Sequence, residues 1–446
     1  MREKDNKFLI LTALVAALGG LLFGFDTAVI SGTTPFIQPY FRLNDIALGW
    51  TVSSLLVGCI VGVISSGKPG DLFGRKYTLI VAALLFLISA LGSALSTHLT
   101  YFIIFRFFGG VAVGTASMLS PMYISEIAPA DRRGALVSLN QLAIVIGILL
   151  AFFSNYLLAG IGTNSWRWMF AVMGLPAFLF FVTLIFVPES PRWLVQKNKK
   201  DEAYAILEKI NGVDIAKAEL LSIVNSVAQG VKGNYREVFA KGMKPVLWIG
   251  VLLAVFSQLT GINSIMYYAP IIFKNLGNGT GSALIQTAVI GSVNFLFTIV
   301  AILWIDKWGR KPLLIAGAAG MIISLTVITV AYYLNELGGY LIFFFILTYI
   351  ASFAASLGPV SWVVISEIFP NKMRSKAMSI AIVALWGSNF IVTLTFPAIL
   401  NRMGGGAAFL IFDIMCVLML IFIINKLPET KGKSLEELEK IMVKRI

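Results

Sequence analysis

The chain has 446 residues, 58% of them hydrophobic and 13% charged, and its 35 Lys and Arg against 22 Asp and Glu leave a net charge of +13. A mean hydropathy of +0.87 means more apolar surface than a water-soluble fold of this size hides, so lipid is the expected solvent. The basic balance suggests nucleic acid only until the positive charge is located along the chain.

Apolar runs of about 20 residues recur along the chain, each long enough at ~1.5 Å per residue to cross a ~30 Å hydrocarbon core. They fall at 8–31, 48–68, 77–97, 100–122, 135–157, 167–187, 244–268, 284–305, 313–334, 339–365, 375–397 and 406–426. Twelve transmembrane helices are expected; the runs are too long for strands and lack period-two alternation. The first run has no small-residue cleavage site after a short apolar stretch and is expected to stay as a helix.

Lys and Arg collect in alternate connections: Arg2, Lys4 and Lys7; Lys68, Arg75 and Lys76; Arg132 and Arg133; 192–244; Lys307, Arg310 and Lys311; Lys372, Arg374 and Lys376; and the tail. The remaining connections hold few, chiefly Arg42, Arg167, Lys274 and Arg402. The positive-inside rule then puts both termini in the cytoplasm and accounts for the charge without nucleic acid. The two cysteines, Cys59 and Cys416, lie inside spans, which argues against a disulfide framework.

Between spans six and seven the composition turns polar. DEAYAILEKI (201–210) and DIAKAELLSIV (214–224) place Tyr204, Leu207, Ile210, Leu220, Ile223 and Val224 at helical spacing. The expected organisation is a six-helix half over 1–187, a cytoplasmic helical linker over 188–243, and a second six-helix half with a cytoplasmic tail over 244–446. Three segments recur across the linker: DLFGRK (71–76) as DKWGRK (306–311), SEIAPADRRG (125–134) as SEIFPNKMRS (366–375), and VPESPR (187–192) as LPETKG (427–432). Their nearly constant offset means a duplicated unit in one orientation. Parallel six-helix repeats imply a solute site near the bilayer midplane and alternating access by rocking of the halves.

The D-x-x-G-R-K segments sit at surface turns. Their charges either orient the chain or pair to form a cytoplasmic gate. In the second reading Asp71, Arg75, Lys76, Asp306, Arg310 and Lys311 meet Glu126, Arg133, Glu367 and Arg374, joined by Glu189 and Arg192 of VPESPR and Glu429 of LPETKG, and latch the halves in the outward-facing state.

Ionisable groups within spans are expensive and point to function. Asp26 lies ~8 Å from the outer end of span one and Arg106 ~10 Å from the outer start of span four, so their depths agree. Such a pair is either structural or a proton-coupling device in which the carboxylate takes a proton when the pair opens. Asp413 in span twelve has no evident partner and is expected to face an outer vestibule.

Gln141, Gln258, Asn263, Asn294 and Asn389 offer the donors and acceptors that a sugar's hydroxyls need, or else hydrogen-bond between helices. Gly261 is expected to open span seven so that Gln258 and Asn263 converge, and Gly358-Pro359 to kink span ten beside Trp362. Trp362 and Trp386 provide flat apolar walls or interfacial anchors. His98 is the single histidine, and no phosphate-binding loop or metal-ligand cluster is present, which removes support for ATP-driven pumping and for metalloenzyme chemistry. No cofactor is expected.

Through GGLLFGFDTAVISG (19–32), DLFGRK, RFFGGVAVG (106–114), PMYISEIAP, VPESPRWL, GINSIMYYAP (261–270), GPVSWVVISEIFP (358–370) and LPETKGKSLEELE, the chain resembles the sugar porters of the major facilitator superfamily, nearest to bacterial D-xylose:proton symporters. The resemblance implies Asp26 as proton-coupling carboxylate and Arg106 as its partner. It implies sugar contacts at Gln141, Gln258, Asn263, Tyr267, Asn294, Trp362 and Trp386. Three positions depart from the pattern: Ser257 and Leu385 stand where glutamines line the sugar site, and Ile148 replaces another glutamine in span five. The expected function is proton-coupled import of a monosaccharide, pentose or hexose, across the cell membrane, with sugar, proton and lipid bilayer as partners and a single chain as working unit. A facilitative uniporter of the same fold is the alternative, and a membrane sugar sensor a more distant one.

Overall fold

The computed structural model describes residues 3–129, 132–228, 235–240, 243–334, 339–370 and 373–431. The helices are α1 (Glu3–Tyr40), α2 (Asp45–Leu72), α3 (Arg75–Leu95), α4 (Leu99–Ile127), α5 (Arg133–Leu158), α6 (Ser165–Val172), α7 (Gly174–Phe186), α8 (Pro191–Gln196), α9 (Lys200–Asn211), α10 (Val213–Ala228), α11 (Tyr235–Val238), α12 (Lys244–Leu259), α13 (Ile262–Asn275), α14 (Thr280–Trp308), α15 (Arg310–Tyr333), α16 (Gly339–Ala354), α17 (Leu357–Glu367) and α18 (Arg374–Lys426). Among the described residues 11 helical stretches are long and apolar enough to span a bilayer. The last contains a break at Gly404, whose φ of 81° and ψ of 166° no helix holds, so it comprises two spans. The architecture is thus all-helical, with twelve spans in two six-helix repeats and a helical insert between them.

Several spans are divided where the backbone chemistry requires it. Pro176 cannot donate to the carbonyl four residues back, and α6 ends there, at Val172. Pro359 does the same in span ten. Its missing donor faces Ala355, so the break falls at Ala355 and Ser356, three residues ahead of the Gly358-Pro359 pair, and Pro359 occupies the first turn of α17. Span seven divides at Gly261, with φ of 86°, a left-handed conformation that costs a residue with a side chain ~1–2 kcal/mol. The carbonyl of Thr260 freed by this break accepts the hydroxyl of Tyr349 on α16 at 2.8 Å, which keeps a buried polar group satisfied.

Span one is longer than expected. It runs to Tyr40 despite Pro35 and Pro39, so Asp26 lies about 21 Å from its end rather than 8 Å. The carboxylate is therefore close to mid-helix.

The contacts divide the chain into two compact units: Met1–Thr27, Gly58–Ile148 and Phe170–Val231 in the first, and Ala28–Val57, Leu149–Met169 and Lys232–Ile446 in the second. In the first, small residues bring helices into backbone contact: a Cβ on Gly24 would lie 1.9 Å from the carbonyl oxygen of Ile144, and one on Gly58 2.1 Å from that of Phe107. Lipid offers no hydrophobic drive between helices, so this close approach is what holds α1 on α5 and α2 on α4. In the insert, Leu194, Val195 and Ala203 form a core with Leu220, Ile223 and Val224 packed against it; Leu207 and Ile210 are buried and Tyr204 half-buried.

Candidate functional site

In the first unit, α1 carries Asp26 and α4 carries Arg106, and both are wholly buried. Arg106 Nη1 pairs with Asp26 Oδ1, while Nη2 donates to the backbone carbonyl of Asp26 at 3.2 Å. The guanidinium also lies 5.3 Å over the ring of Phe170. An isolated charge here would cost several kcal/mol, and pairing with hydrogen bonds offsets much of it. Gly109, one turn after Arg106 on the same face of α4, leaves room for the carboxylate: a Cβ there would lie 2.5 Å from Asp26 Oδ2 and 2.4 Å from Ser89 Oγ.

The second unit holds an amide cluster at the break in span seven. Asn263 Nδ2, on α13, donates to Gln258 Oε1 at 2.6 Å across the Gly261 turn, and Gln258 Nε2 donates to Ser257 Oγ at 3.1 Å. A straight helix would hold these amides about 140° apart; the left-handed glycine brings them together. Tyr267 on α13, Asn294 on α14, and Leu385 and Trp386 on α18 are all buried, and Trp362 on α17 is half-buried. Asn389 accepts from Thr393 Oγ1 at 3.0 Å. Burial to 2% argues against Trp386 being an interfacial anchor. Gln141, on α5, is half-buried in the first unit, as is Ile148.

The charged motifs form the same cluster twice. Arg75 Nε and Nη2 grip Glu126 with two contacts of 3.1 Å, and Nη1 reaches Asp71 at 3.1 Å. Arg310 Nη2 pairs with Glu367 Oε1 at 3.0 Å. Ser190 donates to Glu126, and its counterpart Thr430 to Glu367. Glu189 accepts the backbone N–H groups of Arg75 and Lys76, and Glu429 those of Arg310 and Lys311. Gly74 and Gly309, the residues before α3 and α15, have no side chain with which to cap these helices, so each glutamate supplies the cap from another part of the chain. Lys76 Nζ donates to Ile185 O at 2.9 Å and Lys311 Nζ to Ile424 O at 2.7 Å, each at a helix C-terminus. Burial pushes the Glu189 carboxyl above its ordinary value, against the backbone N–H groups of Ser190, Lys76 and Arg75. At Glu429 burial pushes upward too, but the N–H groups of Lys431, Arg310, Lys311 and Thr430 outweigh it and leave the carboxyl below its ordinary value. Arg133 donates to Ala128 O at 3.4 Å and Arg374 to Phe369 O at 3.3 Å. Arg192 is exposed on α8. The side chain of Asp306 lies outside the described residues.

Residues 12–442 match the family model described as sugar (and other) transporter. The chain belongs to the sugar transporter family. Among its relatives in that family, the arabinose-proton symporter of Bacillus subtilis is 43% identical, with 99% of this chain and 97% of the relative covered. The D-xylose-proton symporter of Escherichia coli is 44% identical, with 98% and 96% covered. The inward-open structure of the xylose transporter from E. coli superposes with a TM-score of 0.86 at 42% identity, covering 97% of this chain and 100% of that one. This sugar transporter family member is a membrane transporter with multiple spans and not an enzyme.

The second unit also holds a tight seam between early and late spans. A Cβ on Gly49 would lie 2.2 Å from Leu394 O, and one on Gly291 2.8 Å from the Phe152 ring; Trp50 packs edge-on against Phe390, and Asn401 donates to Asp45 at 2.6 Å. Asp413 does not face an open vestibule: it is 8% exposed and accepts from Thr326 on α15 at 2.8 Å. The residues that sequence reasoning passed over, Ser89, Gly109, Ser190 and Thr430, are small or neutral and acquire meaning only from their neighbours across helices. Ser190 and Thr430 were discernible as the repeated Ser/Thr after the shared Pro-Glu.

Proposed function

We propose that this chain is a proton-coupled monosaccharide importer working by alternating access, with Asp26 as proton carrier and Arg106 as the partner that holds it ionised between cycles. The observation that carries this reading is the fully buried Asp26–Arg106 pair: a carboxylate at this depth stays charged only beside the guanidinium, so parting the two favours uptake of a proton. The relatives named as proton symporters for arabinose and D-xylose support it. Gln258, Asn263, Tyr267, Asn294, Trp362 and Trp386, with Gln141, supply the sugar contacts; Ser257 and Leu385 alter the hydroxyl recognition and with it the preferred pentose or hexose.

In this reading the chain is organised as the halves 1–187 and 244–446 about the linker 188–243. The ends that bear the charged clusters face the cytoplasm, as do both termini, by the positive-inside rule. The Gly49 seam then seals the outer side. The clusters of Asp71, Arg75, Lys76, Glu126, Arg133, Glu189 and Arg192, and of Asp306, Arg310, Lys311, Glu367, Arg374 and Glu429, form the cytoplasmic gate of the outward-facing state. One chain carries both repeats, so a monomer in the bilayer suffices.

A facilitative uniporter is the second reading, favoured by the 38% identity to the glucose facilitated diffusion protein of Zymomonas mobilis. Uptake into liposomes with and without an inward proton gradient separates the two. Symport gives accumulation that follows the gradient and disappears in Asp26→Asn while sugar exchange persists. Accumulation that ignores the gradient, or survives Asp26→Asn intact, overturns symport.

A further inference from the structure

Arg106 occupies only one oxygen of the Asp26 carboxylate. Oδ2 has no hydrogen-bond partner among the described residues, and neither has the hydroxyl of Ser89 on α3. Ser89 is 1% exposed. Both atoms lie within 2.5 Å of the position that a Cβ on Gly109 would take, so the two oxygens are at most about 5 Å apart across a gap kept open by glycine. An unsatisfied buried polar atom costs ~1–3 kcal/mol, and here two such atoms face the same gap. Paired with Arg106 as here, the carboxylate leaves both unmatched; the Ser89 hydroxyl can both donate and accept, so the two oxygens can pair once Oδ2 moves across the gap. The charged and titratable groups facing Asp26 are Arg106 on α4 and the Cys59 thiol on α2; α3 presents Ser89, and α5 meets α1 here through the backbone of Ile144.

We propose that Ser89 is a positioning residue for the proton on Asp26. When the pair with Arg106 opens, Oδ2 takes a proton from water and donates it in a hydrogen bond to Ser89 Oγ. The protonated carboxyl is thereby held against α3, away from the guanidinium, and Ser89 stabilises the loaded form relative to the Arg106-paired one. The Arg106-paired form does not make this hydrogen bond, so the bond raises the pH at which Asp26 leaves the pair and loads.

This inference rests on the symport reading, and the test keeps the two apart. The carboxylic acid C=O band of the purified protein in lipid is followed by infrared difference spectroscopy against pH, with Asp26→Asn assigning the band. Proton-driven uptake is followed in parallel. In Ser89→Ala the band is expected to shift in frequency, and its midpoint and that of uptake to move by about half a pH unit or more toward acid, the size of one neutral hydrogen bond. Sugar binding by the variant at low pH reports that it is folded. An Asp26 band with the same frequency and midpoint in folded Ser89→Ala overturns the role of Ser89. Wild-type uptake that ignores pH overturns symport instead, while the band still decides for or against Ser89.

Discussion

Glu189 accepts the backbone N–H of Arg75, the first residue of α3, at 3.0 Å, and so caps a helix from 114 residues away. Glu429 does the same for Arg310 and α15 at 3.0 Å. The duplication has preserved a contact between segments as well as the segments themselves.

The two caps respond oppositely to pH. Glu429, held below its ordinary value, contributes stability above about pH 4.3 that is lost as the pH falls through its lowered value. Glu189, pushed above its ordinary value, contributes stability below about pH 4.3 that is lost as the pH rises through its raised value. Thermal unfolding in detergent at pH 7 is expected to show a larger loss for Glu429→Gln than for Glu189→Gln, with the difference closing toward pH 4. Equal losses at both pH values would contradict the assignment.

Arg75 is 4% exposed and forms an ion pair with Glu126, whose side chain is 8% exposed. Arg75→Ala leaves a buried carboxylate uncompensated and is expected to destabilise by about 3–5 kcal/mol. Arg75→Ala with Glu126→Gln should recover a large part of that loss in denaturant unfolding. Additive losses would mean that the pair is not coupled.

Gly261 combines a left-handed backbone with a Phe412 ring 2.3 Å from where a Cβ would be. Gly261→Ala is expected to separate Asn263 from Gln258 and to weaken sugar binding by at least about tenfold, on top of the ~1–2 kcal/mol of backbone strain. Equilibrium binding of a sugar panel to the purified variant checks this.

Gly49 meets the backbone of Leu394 with no space for a side chain. Gly49→Trp is expected to hold this seam open and stop transport while sugar binding persists. Distances between spin labels on α2 and α18 should lengthen by several ångströms; an unchanged distance distribution would refute the packing argument.

Asp413 is satisfied on one oxygen by Thr326. Asp413→Asn keeps that acceptor and is expected to cost no more than about 0.6 kcal/mol, a typical hydrogen bond between membrane helices. The pH profile of uptake should be that of the wild type, in contrast to Asp26→Asn.

The twelve spans, the duplication and the two costly charges Asp26 and Arg106 were legible because each depends on local hydropathy, on repetition or on charge in an apolar run. The break at Gly261 was legible as well, since glycine between two amides signals a conformation that other residues resist. Contacts across helices were not. The cap made by Glu189, the gap that Gly109 keeps beside Asp26, and the hydroxyl of Ser89 facing it join residues 63 to 114 positions apart, and no periodicity along one helix records which neighbour it will meet. The sequence by itself determined which segments enter the bilayer and where the costly charges lie. Only the tertiary structure decided which oxygen of Asp26 the arginine leaves bare, because that depends on how closely small residues let α1, α3 and α4 approach.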